Sequence, residues 1–133
     1  MRAQPVVAVL LAVCGLASAA EPLDFPLKRI EARLRAEAHG YVPVVLTAPH
    51  CTSAAALPEI TSPSFPSAYP DGVFVVCDAA TSGTRADATI LRYLFHASRK
   101  EVLVASSIHA RLDHRSGAWR LVAWRETYYD YAP

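Results

Sequence analysis

Four apolar positions, Leu27, Ile30, Leu34 and Ala38, recur at spacings of three and four and so line one side of a helix. Asp24 stands where an N-cap belongs, Pro26 falls in the first turn, and Gly40 supplies a stop. The other side carries Lys28, Arg29, Glu31, Arg33, Arg35 and Glu37, with Glu31 and Arg35 in the favourable order for an i, i+4 pair. That face reads as solvated rather than as a membrane surface. Beyond Gly40 the pattern changes to strands. Residues 42–46 are mostly β-branched but interrupted by Pro43, which places them at a sheet edge. Residues 73–76 form a short apolar run ending at Cys77, the pattern of a buried strand. Residues 89–97 and 102–112 flank the polar turn Ser98, Arg99, Lys100 and Glu101, which predicts a long hairpin.

With Arg99 and Lys100 as the two loop residues, Ala97 faces Val102, Phe95 faces Val104, Tyr93 faces Ser106 and Leu91 faces Ile108. One face of the hairpin is then almost wholly apolar, and the other gathers Arg92, His96, Ser107 and His109. A second hairpin turns at His114, Arg115, Ser116 and Gly117. Here a three-residue loop with a Gly bulge sets Trp124 opposite Ile108, whereas a four-residue loop sets Ala123 there and Trp119 on the Leu112 face. These elements sum to an α+β class, one N-terminal helix packed on an antiparallel sheet of about five strands.

Between the first two strand patterns, residues 49–71 hold prolines too often for a regular helix or an inner strand, so they read as a long loop. Cys51 lies near its start, and Cys77 lies beyond its end, after the strand run 73–76. In an oxidising compartment they pair by default, closing a loop of about 27 residues and adding roughly 3–4 kcal/mol by the loop-entropy relation. The loop either presents Ile60, Phe65 and Tyr69 for binding on a stiff proline framework or uses them to roof the core.

The compartment follows from the start of the chain. Arg2 precedes an apolar run over residues 6–13 and a small-residue cluster, Ala17, Ser18, Ala19 and Ala20. Those are the three parts of a cleaved signal peptide, and the run is too short to span a bilayer. The expected mature protein is a single α+β domain over residues 21–133, periplasmic or secreted, with no membrane span. Leu11, Ala12, Val13 and Cys14 also approach a lipobox, but Val13 is not small and Cys14 is expected to leave with the leader. The Ala-, Arg-, Val- and Pro-rich composition, without Asn, fits a bacterial exported domain. With Arg2 removed, twelve basic residues balance twelve acidic ones, which gives no electrostatic case for a nucleic-acid partner or an anionic membrane.

Chemistry is sparse. His39, His50, His96, His109 and His114 show no H-x-x-x-H spacing, so neither a metal nor another cofactor is expected. His96 and His109 share a face in the register above, and Asp113, four residues after His109, stands where it would orient a general base. His50 beside Cys51 suggests thiol chemistry, which a disulfide removes. Ser82, Gly83 and Thr84 read as a turn between strands. At the C-terminus, Trp124 is followed by Arg125, Glu126, Thr127, Tyr128, Tyr129, Asp130 and Tyr131. Aromatics with polar tips are favoured at interfaces, and alternate members also suit a core edge.

Gly117, Ala118, Trp119, Arg120, Leu121 and Val122 resemble the closing hairpin of nuclear-transport-factor-2-like domains, over about the last forty residues. That family builds its pocket from several N-terminal helices and this chain offers one, so no pocket or catalytic residue is carried over. The element order is more similar to the cystatin-like arrangement of one helix cradled by an antiparallel sheet. Its inhibitory Gln-x-Val-x-Gly turn is absent, because the only Gln is Gln4. The leading expectation is a small exported, non-enzymatic binding protein acting on another envelope or secreted protein through Phe65, Tyr69, Tyr128, Tyr129 and Tyr131. An inhibitor or immunity protein for a secreted enzyme is its most concrete form. The alternatives are a small pocket enzyme using His96 or His109 as general base, and a structural subunit of an envelope complex.

Overall fold

The computed structural model describes residues 24–132; the expected leader, its cleavage site and Cys14 lie outside them. Helix α1 spans Leu27–Glu37 and buries Ile30 and Leu34, the centre of the predicted stripe. It starts two residues later than Asp24 implies, with Pro26 at the N-cap position and its carbonyl accepting the Arg29 N–H at 3.1 Å. The chain turns extended at Ala38, just before Gly40 at φ +84. On its solvent side the pair that forms is Arg33 to Glu37 at 2.7 Å, in place of Glu31 to Arg35, and the Arg33 guanidinium also lies 4.8 Å from the Trp124 ring centre. Among the described residues no helix is long and apolar enough to cross a membrane.

The sheet has five strands in the order β1 (Val45–Thr47), β2 (Val73–Ser82), β3 (Arg85–His96), β4 (Glu101–Arg115) and β5 (Ala118–Tyr128). It is mixed rather than wholly antiparallel. β1 runs parallel to β2, with Val45 beside Phe74 and Thr47 beside Val76, at the edge to which Pro43 assigned it. A parallel neighbour cannot be reached by a tight turn and needs a crossover of a dozen or more residues. The Pro-rich stretch is that crossover.

It is also more regular than a plain loop. It folds into a 3-10 helix over Cys51–Ala56 and two single-turn helices, α2 (Pro58–Thr61) and α3 (Phe65–Ala68). Pro58 and Pro66 sit in the first turns of α2 and α3, where a missing N–H costs nothing. Ala54, Ile60 and Phe65 are buried against Val73, Val75, Cys77 and Tyr93. The apolar residues of the crossover thus roof a second core. Phe65, expected among the binding residues, is fully buried and belongs to that core, with the half-buried Tyr69 ring 5.4 Å from its own.

Strand β2 is therefore covered twice. Phe74 and Val76 face the α1 core with Ile90, Ile108, Ala110, Leu112 and Trp119, while Val73, Val75 and Cys77 face the roof. The Cys51–Cys77 disulfide joins the start of the crossover to β2, with Cα atoms 5.0 Å apart. One residue on, Asp78 adopts φ 51 in a bulge, and its carboxylate accepts the Cys51 N–H at 3.2 Å.

Hairpin registers depart from the sequence reading through two further bulges. The β3–β4 turn has four residues, 97–100, which sets Phe95 opposite Val102 and Tyr93 opposite Val104. Ala105 is then an extra residue, so Arg92 meets Ser106 and Ile90 meets Ile108 in place of Leu91. A bulge changes which side of the sheet the next residues face. Val102 and Val104 accordingly pack under the roof, whereas Ser106, Ile108, Ala110 and Leu112 turn towards α1. The last hairpin has a two-residue loop, Ser116 at φ 53 and Gly117 at φ 81, as a type I′ turn requires. Val122 is its bulged residue, and Glu126, not Trp124 or Ala123, lies opposite Ile108. Trp119 does join the Leu112 face. Ser82 pairs with Arg85 around Gly83 and Thr84, the predicted turn.

Because the bridge closes the crossover onto the buried half of β2, reduction or Cys77→Ser is expected to lower stability by about 3 kcal/mol. Denaturant unfolding measures this, and limited proteolysis should move the first cleavages into residues 49–71. Non-reducing peptide mapping should recover Cys51 and Cys77 on linked peptides.

Candidate functional site

The face of the sheet turned towards α1 is apolar where the helix covers it and becomes polar where the helix ends. Successive cross-strand rows run Ala88, Ala110, Trp124, then Ile90, Ile108, Glu126, then Arg92, Ser106, Tyr128. Ile108 and Glu126 of the second row, Arg92 and Tyr128 of the third, the C-terminal end of α1, Phe74 and Tyr41 line a cavity of about 560 Å³, together with Leu34, Glu37 and His39. That volume lies in the range of small-molecule sites.

The polar groups are held in place by the sheet. Ser106 is 1% exposed and donates its hydroxyl to Glu126 Oε2 at 2.6 Å. The Tyr128 hydroxyl donates to Glu126 Oε1 at 2.9 Å. That hydrogen bond, with the carboxylate's own charge, raises the Tyr128 phenol above its ordinary range, so it remains a donor. Arg92 sits across β4 from Glu126. Its guanidinium carbon lies 5.2 Å from the Phe74 ring centre and 5.7 Å from that of Tyr41, and one terminal nitrogen donates to the Asp71 carbonyl at 3.1 Å. Its buried Nε has no hydrogen-bond partner, and among the described residues no carboxylate forms an ion pair with Arg92.

A second feature occupies the end of the sheet near the β3–β4 turn. Tyr128, Tyr129 and Tyr131 are 75%, 44% and 37% exposed, and Phe95 is 38% exposed. The segment after β5 follows the hairpin tip, with the Tyr129 N–H on the Ala105 carbonyl at 3.0 Å and the Tyr129 and Ser107 hydroxyls 2.9 Å apart. Tyr131 sets its ring edge-on to His96 with centres 6.4 Å apart, and Arg99 lies 5.9 Å from its ring centre. Leu94, Phe95, His96, Leu103 and the two tyrosines line a shallow hollow of about 250 Å³.

The remaining expected site residues do not converge. His96 accepts the Arg99 N–H through Nδ1 at 3.1 Å and so helps to close the turn. His109 lies on the opposite side of the sheet from His96, because the Ala105 bulge separates their faces, and stands exposed among Thr89, Ser107, Arg125 and Thr127. Asp113 is 3.5 Å from Arg115. His50 is 3.6 Å from Asp78, beside the disulfide. Among the described residues no three of His, Cys, Asp and Glu gather as a metal site needs.

Sequence reasoning missed the cavity. One signal was present, since Arg92 interrupts the apolar run Ile90, Leu91, Tyr93, Leu94 and Phe95, where a charge has to face inward or be stacked. Comparisons of the chain with protein-family models, with curated proteins and with solved structures find no match. The site is read from its geometry alone.

The Glu126–Ser106 contact makes a direct test of how the polar row is built. Glu126→Ala removes the acceptor of a buried hydroxyl and is expected to cost about 1–3 kcal/mol. Adding Ser106→Ala should recover most of that loss, and a double-mutant cycle by urea unfolding measures the coupling.

Proposed function

We propose that the chain is an exported, non-enzymatic binding protein that docks a second exported protein through the tyrosine-rich end of its sheet. The observation that carries this reading is the exposure of Tyr128, Tyr129, Tyr131 and Phe95 around one end of the sheet. Interfaces concentrate their energy in such aromatic anchors, which bury a large area while keeping a hydroxyl to pair. β5 supports it further as an edge strand of eleven residues, a place where a partner's extended segment can add main-chain hydrogen bonds. The disulfide fits an oxidising compartment, in keeping with the signal-peptide pattern over residues 1–20. An inhibitor or immunity protein for a secreted enzyme is the concrete form of this proposal, since such a protein needs a rigid surface and no catalytic group.

Export is tested by N-terminal sequencing of the protein from the envelope fraction, which should read from Ala20 or Glu21. An intact Met1 in the cytoplasm or a lipid on Cys14 would contradict it.

For the docking surface, the oxidised protein is used to capture its partner from envelope extract, and affinity is then measured with the purified pair. Tyr129→Ala and Tyr131→Ala should each weaken binding by about tenfold or more without lowering the melting temperature, while His109→Ala should leave affinity unchanged. Equal capture by both tyrosine variants would remove the reading.

A further inference from the structure

The cavity beside α1 presents a charge pattern that its own side chains leave uncompensated. Arg92 is partly buried, set over the rings of Tyr41 and Phe74, and held by one backbone carbonyl without an ion-paired carboxylate among the described residues. A cation withdrawn from water in this way normally has a counter-anion. The same cavity contains a carboxylate, Glu126, but the two form no ion pair. Arg92 is on β3 and Glu126 on β5, so their backbones stand on the order of 10 Å apart across β4. Between them the floor is Ile108, which is 1% exposed.

Read from β3 to β5, the floor is cationic, apolar and anionic. Ser106 and Tyr128 each place a hydroxyl on Glu126, one on each carboxylate oxygen, which fixes the carboxylate and leaves each oxygen with acceptor capacity to spare. The nearby Glu37 is engaged by Arg33, so the unneutralised charges of the cavity are Arg92 and Glu126. A lone anion would satisfy Arg92 but bring like charge towards Glu126, and a lone cation would do the reverse.

We propose that this cavity binds a small zwitterion, with a carboxylate on Arg92, an ammonium on Glu126 and a short apolar spacer over Ile108. Arg suits the carboxylate because its planar fork donates two parallel hydrogen bonds. The cavity's volume of about 560 Å³ accommodates an ω-amino acid or a comparably sized short peptide. The site adjoins the protein-docking surface and shares Tyr128 with it, but does not rest on it, since Tyr129, Tyr131 and Phe95 take no part in lining the cavity.

Calorimetric titration of the oxidised protein with ω-amino acids, from glycine through ε-aminocaproate to ω-aminooctanoate, tests the proposal. Alkanoates and alkylammonium ions of matched length serve as single-charge controls. At least one zwitterion should bind tighter than both controls by about tenfold or more, with an optimum at an intermediate spacer. Arg92→Gln should abolish the preference over the alkylammonium, Glu126→Gln the preference over the alkanoate, and Tyr131→Ala should change neither. To cover the case in which Arg92→Gln fails to fold, amide shifts of the unmodified protein should respond to the preferred zwitterion at Ala36, Tyr41 and Ile108. Binding no tighter than the controls at every length, unchanged binding in a folded Arg92→Gln variant, or shifts confined to other surfaces would each overturn it. Loss of partner capture in Tyr131→Ala with zwitterion binding intact would separate the two sites.

Discussion

A strand that is apolar on both sides has to be covered on both sides, and in this protein that requirement organises the rest of the fold. Residues 73–77 are all buried, alternating between the α1 core and the roof. An amphipathic helix of eleven residues satisfies one side. The other side is met by the stretch least suited to regular structure, which becomes useful because single helical turns with proline in their first positions need no long run of good helix formers. The crossover thereby delivers β1 to its parallel place and supplies Ala54, Ile60 and Phe65 as the second core layer. The disulfide and the Asp78 carboxylate both fasten the crossover's first turn, at Cys51, to the end of that doubly buried segment.

Much of this was legible from the residue pattern, and the failures share one cause. The helix stripe, the edge position implied by Pro43, the turn at Gly83 and the cysteine pairing are local signals, each carried by a few residues with a direct steric or redox meaning. The bulges at Ala105 and Val122 are not. Neither residue has a composition that marks it, yet each shifts the pairing by one and exchanges the two faces beyond it. The expected register set Arg92 beside Ser107 and His109; the bulged register sets it beside Ser106 and removes His109 to the far side. Ser106, Glu126 and Tyr128 are neighbours only because of those two extra residues, so the polar row was invisible to any reading that kept the strands in step. The roof was equally hidden, because Phe65 and Tyr69 look alike in sequence, and only the path of the crossover decides which one is buried.

The face towards α1 also shows how a short helix creates a site. Had the helix continued past Glu37, another turn would lie over Ile108 and the row beyond it, and apolar residues would be needed on the floor. It stops instead, and the sheet below changes from Ala, Ile and Leu to Arg, Ser, Glu and Tyr within two rows. Polar side chains there are tolerated because each finds a partner or an aromatic face, while the strands beneath them stay hydrogen-bonded.

The parallel placement of β1 bears on the order in which the chain can assemble. Strands β2 to β5 form a meander whose three turns are two to four residues long, so each pairing closes a short loop with a small entropic penalty. β1 has no such route. Its pairing partner is separated from it by the whole crossover, and the surface on which the crossover packs includes Tyr93 of β3, together with Val102 and Val104 of β4. The roof has a complete surface to rest on only when the meander has formed, whereas the 26-residue separation of Cys51 and Cys77 is short enough to close in the unfolded chain as well. On this topology the covalent bond shortens the one long connection that the tight turns of the meander leave open.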